Sequence, residues 1–336
     1  MAYFIEVINL IGIYAILAMS LNVICGMTGL LQLGHAGFFA IGAYTSGLYS
    51  IYMFNPEIGF LNFVIGTIIA IFCAILFSLA IGVPCLRLSG DYLAIATLGA
   101  GEIIRLVLIN VMFPATANSF DEPFGGSTGI TLPLGSDFIH SEKPLPRDSN
   151  WLDSAVFFAQ NTWIILLFAT VTFILLLNIK RSAIGRALLA IREDEIAAKS
   201  MGVNLPLYKL LSFMLSASFA ALAGALFVHM NQIVSPDDFT LLQTITILLI
   251  VVLGGMGSFT GSILAAIVLI SIPELLRFLP RIGGAEGFSL AEKKELIFAF
   301  LLVLFVRLTP NGIMGMKEFY QIPQMFKSKK KGYKNG

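Results

Sequence analysis

Long stretches of the chain carry no formal charge. Between Glu6 and Arg87 the only charged residue is Glu57, and residues 154–179, 210–236 and 239–273 have none. A helix needs about 20 apolar residues to cross the hydrocarbon core of a bilayer. The pattern predicts about nine spans: 4–25, 34–54, 60–84, 92–113, 156–178, 208–230, 236–256, 258–278 and 293–309. Gly26-Met27-Thr28-Gly29 separates the first two, and Asn55-Pro56 separates the second from the third. The seventh opens on Ser235-Pro236-Asp237-Asp238, which supplies an N-cap, a first-turn proline and two acids at the positive end of the helix dipole. Gly254-Gly255-Met256-Gly257-Ser258 interrupts the run before the eighth. The expected fold is all-α, a polytopic transmembrane bundle solvated by lipid. Its first helix lacks a basic n-region and reads as retained rather than as a removed leader.

Two polar segments break this pattern. Residues 114–155 hold five prolines, six acids and the run Phe124-Gly-Gly-Ser-Thr-Gly129, and read as a long outer loop. Residues 179–207 are too polar to span, yet Ile184, Ala187, Leu188, Ile191 and Ala198 recur at helical spacing. Ser182 is placed to cap this segment at one end and Gly202 to stop it at the other, which predicts one or two short surface helices. The expected organisation is one transmembrane domain over 1–315, followed by a basic tail over 316–336.

Composition narrows the class. Only 12% of the 336 residues are charged and 57% are apolar, too much apolar surface for a soluble globule to cover. The net charge of +1 gives no global field for nucleic acid. Basic residues set the orientation. With segments 85–91, 179–207 and 310–336 inside, together with Lys209 and Arg307 at their borders, 14 of the 21 basic residues are cytoplasmic. The positive-inside rule then predicts an outer N-terminus and a cytoplasmic C-terminus. The three cysteines show no C-x-x-C spacing and read as packing residues.

Catalytic signatures are poor: there is no Walker A sequence and no H-E-x-x-H. No metal site is expected. Glu102 and Arg105 sit mid-span on one helix face, where ionisable groups are costly and need a cavity or a partner. Two readings fit: a polar gate or zwitterion contact, or a self-neutralising pair that fixes packing. His35 fits either a pathway or a capping role, and Tyr92 fits either a pathway contact or an interfacial anchor. Pro273 frees a backbone carbonyl inside span eight and predicts a kink, which either lines a pathway or only shapes packing. Gly257-x-x-x-Gly261, with Gly254 and Gly255 before it, allows close helix approach, either within the bundle or at a subunit boundary. Residues 184–202 alternate both charge signs around an apolar stripe, which suits either a protein partner or a solvated connector.

Three stretches resemble a known family: Gly29–Tyr44 with its Gly-His-Ala-Gly core, Gly90–Arg105, and Gly185–Gly202. They are similar to those of bacterial branched-chain amino acid ABC-transporter permeases of the LivM type, and Ser235-Pro236 through Ser258 fits the same family. The resemblance runs from about residue 26 to 315. It implies half of an alternating-access pathway in the bacterial inner membrane. It also implies a second permease of the LivH type, two ATPase subunits and a periplasmic or lipid-anchored binding protein. No cofactor is implied on this chain, since ATP and magnesium belong to the ATPases. The family's ATPase-docking loop, E-A-A-x-x-x-G, matches Glu195-Ile196-Ala197-Ala198-x-x-x-Gly202 with one extra residue after the glutamate. This implies a coupling role for Glu195, Ala197, Ala198 and Gly202, with Ile191 and Arg192 beside them and a cleft on an ATPase covering Ile191 and Ala198. Leucine, isoleucine and valine are the implied cargo. Relatives of this type also carry urea, short amides or aromatic acids, and a transporter or channel acting alone is the alternative of a different class.

Overall fold

The computed structural model describes residues 2–53, 60–88, 90–114, 124–132, 151–277, 307 and 312–315. Its helices are α1 (Ala2–Asn22), α2 (His35–Met53), α3 (Phe60–Cys85), α4 (Asp91–Asn110) and α5 (Trp151–Arg181). They continue with α6 (Ala183–Glu193), α7 (Glu195–Ser200), α8 (Leu205–Asn231), α9 (Leu241–Gly254) and α10 (Phe259–Arg277). Among the described residues five helices are long and apolar enough to cross a membrane: Phe4–Thr28, Phe60–Cys85, Asp91–Asn110, Thr162–Arg181 and Leu205–Asn231.

α1 and α8 form the buried centre. α8 packs against α2 and α3, and α1 against α5, α8, α9 and α10. α3, α4 and α5 are peripheral and mostly exposed, which suits apolar helices facing lipid. Small residues set the α2–α8 spacing: a Cβ on Gly42 would lie 2.2 Å from the carbonyl oxygen of Ala221, and one on Gly224 would lie 2.2 Å from that of Phe39. The two backbones touch, and dispersion contacts replace the hydrophobic drive that lipid does not provide.

Several sequence expectations change. Span seven (236–256) is not one crossing helix. A 3-10 turn, Pro236–Phe239, precedes the 14-residue α9, which at 1.5 Å per residue is roughly 20 Å long, short of a 30 Å hydrocarbon core. The cause is local. Ser235 and Asp238 close a capping box around the turn, and the Phe239 ring is buried against Phe39, Phe227 and Tyr44. The chain is therefore pinned mid-bundle before α9 begins. Span one ends in a π-helix, Val23–Thr28.

The segment expected as an outer loop is structured in part. Strand β1 (Met112–Phe113) pairs with β2 (Phe124–Gly125), and β3 (Ile130–Thr131) pairs with β4 (Ile233–Val234), both antiparallel. These two-residue pairs qualify the all-α expectation, and α5 begins at Trp151, inside the expected loop. Helix α10 continues through Pro273 to Arg277. Span 293–309, apart from Arg307, and the tail 316–336 lie outside the described residues.

Candidate functional site

The polar segment 179–207 forms two helices joined at Asp194. Ser182 caps α6 by accepting from the Gly185 amide at 3.4 Å. Asp194 caps α7 by accepting from the amides of Ile196 (2.8 Å) and Ala197 (3.0 Å). α7 ends with Gly202 at φ +86°. The Gly202 amide donates to Lys199 and the Val203 amide to Ala198, the paired bonds of a Schellman stop that needs the left-handed conformation glycine adopts freely.

This elbow is fastened to its own chain. The Arg192 guanidinium donates to the Gly26 carbonyl and lies 3.4 Å from that of Met256. Lys180, in the last turn of α5 just before the elbow, donates to the Gly257 carbonyl at 2.5 Å. Glu195 pairs with Lys209 of α8 at 2.6 Å. Leu188, Ile191 and Ala198 are buried, with Leu188 packed beside Met19, Val23, Met27, Leu176 and Phe259. This corrects the expectation that a partner covers Ile191 and Ala198: the chain covers them itself. The apolar side chains the elbow leaves outward are Ile196, 80% exposed, and Met201, 84% exposed. Ala197 is also exposed.

The same end of the bundle holds a second knot. The Asn22 side chain accepts from the Gly257 amide at 2.7 Å and donates to the Ser258 carbonyl and the Ser262 hydroxyl at 2.9 and 2.8 Å. A Cβ on Gly254 would lie 2.5 Å from backbone atoms of Gly261, and one on Gly255 would lie 2.4 Å from the Gly315 carbonyl oxygen. Gly254, Gly255 and Gly261 therefore serve packing inside this chain. Asn22 carries no local signature, since its partners lie more than 230 residues away.

Within the bundle, Glu102 and Arg105 form the expected pair. Arg105 Nε donates to both Glu102 oxygens at 2.9 and 3.1 Å, and Nη2 donates to Oε1 at 2.6 Å. Sequence reasoning missed the third member, Asp237, whose Oδ1 accepts from Arg105 Nη1 at 3.3 Å. Glu102 lines a narrow cleft with Gly34, Gly37, Gly101, Phe239 and Thr244. His35 does not join this cluster: it is fully buried, with Nε2 2.8 Å from the Ser20 hydroxyl. Tyr92 lies 13 residues from Arg105 along α4, roughly 20 Å at helical rise, and is exposed. Among the described residues no three His, Cys, Asp or Glu side chains group to hold a metal.

Several helices apolar enough to cross a membrane make this a multi-pass membrane protein, and the family it matches is one of permeases. Comparison with known proteins gives the family. Residues 3–307 match the family model for the permease component of branched-chain amino acid transport systems, and the chain belongs to that family. It is 38% identical over 323 residues to the high-affinity branched-chain amino acid transport system permease protein LivM of Escherichia coli K12, covering 93% of this chain and 70% of that one. The LivH permease of the same organism is 24% identical over 311 residues, covering 92% of this chain and 93% of its own. A probable LivM of Methanocaldococcus jannaschii is 24% identical, covering 93% of both. These relatives are named as transport permeases, and this chain is a transport subunit, not an enzyme. No solved structure matches.

Proposed function

We propose that this chain is one of two permeases in an ATP-driven importer of leucine, isoleucine and valine. It sits in the bacterial inner membrane with its N-terminus outside and its C-terminus in the cytoplasm. The second permease is of the LivH type, and the similarity of this chain to LivH over nearly its whole length supports a paired arrangement of two like subunits. Two ATPase subunits hydrolyse ATP with magnesium, and a periplasmic or lipid-anchored binding protein delivers the cargo.

The observation that carries this reading is the elbow α6–α7. It is rigidly capped, tied to the carbonyls of Gly26 and Met256 and to Lys209 of α8, and leaves Ile196 and Met201 outward. A helix pair held so firmly, with unpartnered apolar side chains at its tip, suits a part that receives force from another protein. Arg87, Lys199 and Lys209 line one groove at this end, which supports a cytoplasmic side.

The test is uptake of labelled leucine and of labelled urea by the full reconstituted complex. Leucine uptake that requires ATP and the ATPase subunits is expected. Urea uptake without leucine uptake favours an importer of short amides, and uptake by this chain alone favours a stand-alone transporter.

A further inference from the structure

Arginine offers five N–H donors. Among the described residues, Arg105 uses three of them, on Glu102 and Asp237, so two remain open. The three side chains grade outward: Arg105 is 19% exposed, Glu102 39% and Asp237 77%. α4 is a candidate membrane span and Arg105 lies inside it. A charged group left open at that depth cannot face hydrocarbon cheaply, so this face meets a water-filled path or a polar partner.

Asp237 is held in place by its turn. The Ser235 amide donates to Asp238 Oδ2 at 2.8 Å, and the Phe239 ring sits 5.0 Å from Phe39. The acid next to Arg105 therefore belongs to a fixed element rather than to a loose loop. Its bond to Nη1, at 3.3 Å, is the longest that Arg105 makes, and so the easiest to exchange. The cleft below Glu102 has a volume of about 20 Å³, room for roughly one water. It cannot enclose a branched side chain, and of the three charged residues only Glu102 lines it.

We infer that Arg105, Glu102 and Asp237 form a station that reads both charged ends of an α-amino acid. The α-carboxylate takes the open N–H groups of Arg105 and displaces Asp237. The freed Asp237 and Glu102 then accept the α-ammonium, while the apolar side chain stays outside the cleft. The exchange keeps every charge paired, which is the arrangement a zwitterion needs to move through a low-dielectric path. An uncharged amide has no such complement. The station rests on the proposed amino-acid cargo.

The test uses the complete complex in proteoliposomes: both permeases, the ATPases and the binding protein. Leucine uptake per ATP hydrolysed is measured for wild type, Asp237→Asn, Asp237→Glu, Arg105→Gln and the exchange Glu102→Arg with Arg105→Glu. Loss of a charge-assisted contact predicts a fall of about tenfold or more in Asp237→Asn, Arg105→Gln and the exchange, with subunits still co-purifying. Asp237→Glu restores most of the rate. Asp237 is largely exposed, so its neutralisation leaves the fold intact and isolates the charge. If Asp237→Asn and the exchange variant carry leucine at the wild-type rate, the station is overturned and the cluster serves packing alone. A wild-type complex that carries urea but not leucine overturns the cargo reading, and the station with it.

Discussion

Arg192 of α6 donates to the backbone carbonyl of Gly26, inside the π-helix that ends α1. The same guanidinium reaches the carbonyl of Met256, in the turn between α9 and α10. Asn22 spans these two turns from the other side through Gly257, Ser258 and Ser262. The elbow, the end of α1 and the α9–α10 turn thus form one joint. A force on α6 reaches α1 and the α9–α10 turn through two side chains.

Arg192→Ala removes a charge-assisted donor from two carbonyls. The expected loss is about 1.5–3 kcal/mol, read as a lower melting temperature of the purified permease pair. Coupling should suffer more than assembly, so ATP hydrolysis continues with less leucine moved per cycle. An unchanged ratio of leucine to ATP would show that the joint does not transmit force.

Asn22→Leu removes three hydrogen bonds and leaves the Gly257 amide buried without its acceptor, while the Ser258 carbonyl keeps its bonds from Ser262. Its cost should reach about 2–4 kcal/mol, from the unsatisfied backbone amide and a changed shape in a tight site. Thermal unfolding beside Arg192→Ala checks the order. A smaller loss for Asn22→Leu than for Arg192→Ala contradicts the central position of Asn22.

What the sequence made legible was local. Charge-free windows located the apolar helices, a spacing of three paired Glu102 with Arg105, and cap chemistry marked Ser182 and Gly202. Each of these depends on residues within one or two turns. The amphipathic stripe in α6 was visible, but periodicity gives the face that is covered and not what covers it. Periodicity alone therefore points Ile191 and Ala198 at a partner, although the chain itself buries them. Asp237 reads in sequence as a helix-start acid because 132 positions separate it from Arg105. Span seven reads as a full crossing because an apolar run of helical length looks the same whether or not an aromatic anchor, here Phe239, bends its start.

The α2–α8 contact sets how much volume the core tolerates. A methyl group on Gly42 would lie 2.2 Å from the Ala221 carbonyl oxygen and 2.4 Å from the Ala221 Cα. Both are backbone atoms, so neither can swing away. Gly42→Ala should cost about 1–3 kcal/mol by overpacking and lower the yield of folded protein. A melting temperature equal to wild type would mean that the helices separate without penalty.

Orientation is testable at two exposed methionines. Met112 follows α4, Met201 follows α7, and both side chains are largely exposed. With Cys25, Cys73 and Cys85 replaced, Met112→Cys should react with an impermeant thiol reagent in whole cells and spheroplasts. Met201→Cys should react only after the membrane is opened. Labelling of both positions from the outside would reverse the assignment of the elbow to the cytoplasm.

The tip of the elbow gives the sharpest test of docking. Ile196 and Met201 make little contact with the rest of the chain, so a change there spares the fold. Ile196→Asp places a charge where an apolar partner surface is expected, and an unpaired charge in such a contact is strongly unfavourable. The permease pair should purify normally, while the ATPase subunits no longer co-purify. Gly202 separates geometry from contact, because a Cβ there meets no atom within 4 Å and only its φ of +86° opposes substitution. Gly202→Val, β-branched, should therefore cost about 1–3 kcal/mol locally and misdirect the end of α7, whereas Gly202→Asn, which tolerates the left-handed region, should keep both ATPase retention and transport. If Ile196→Asp retains the ATPase subunits and transports at the wild-type rate, the partner docks elsewhere and the elbow is a connector.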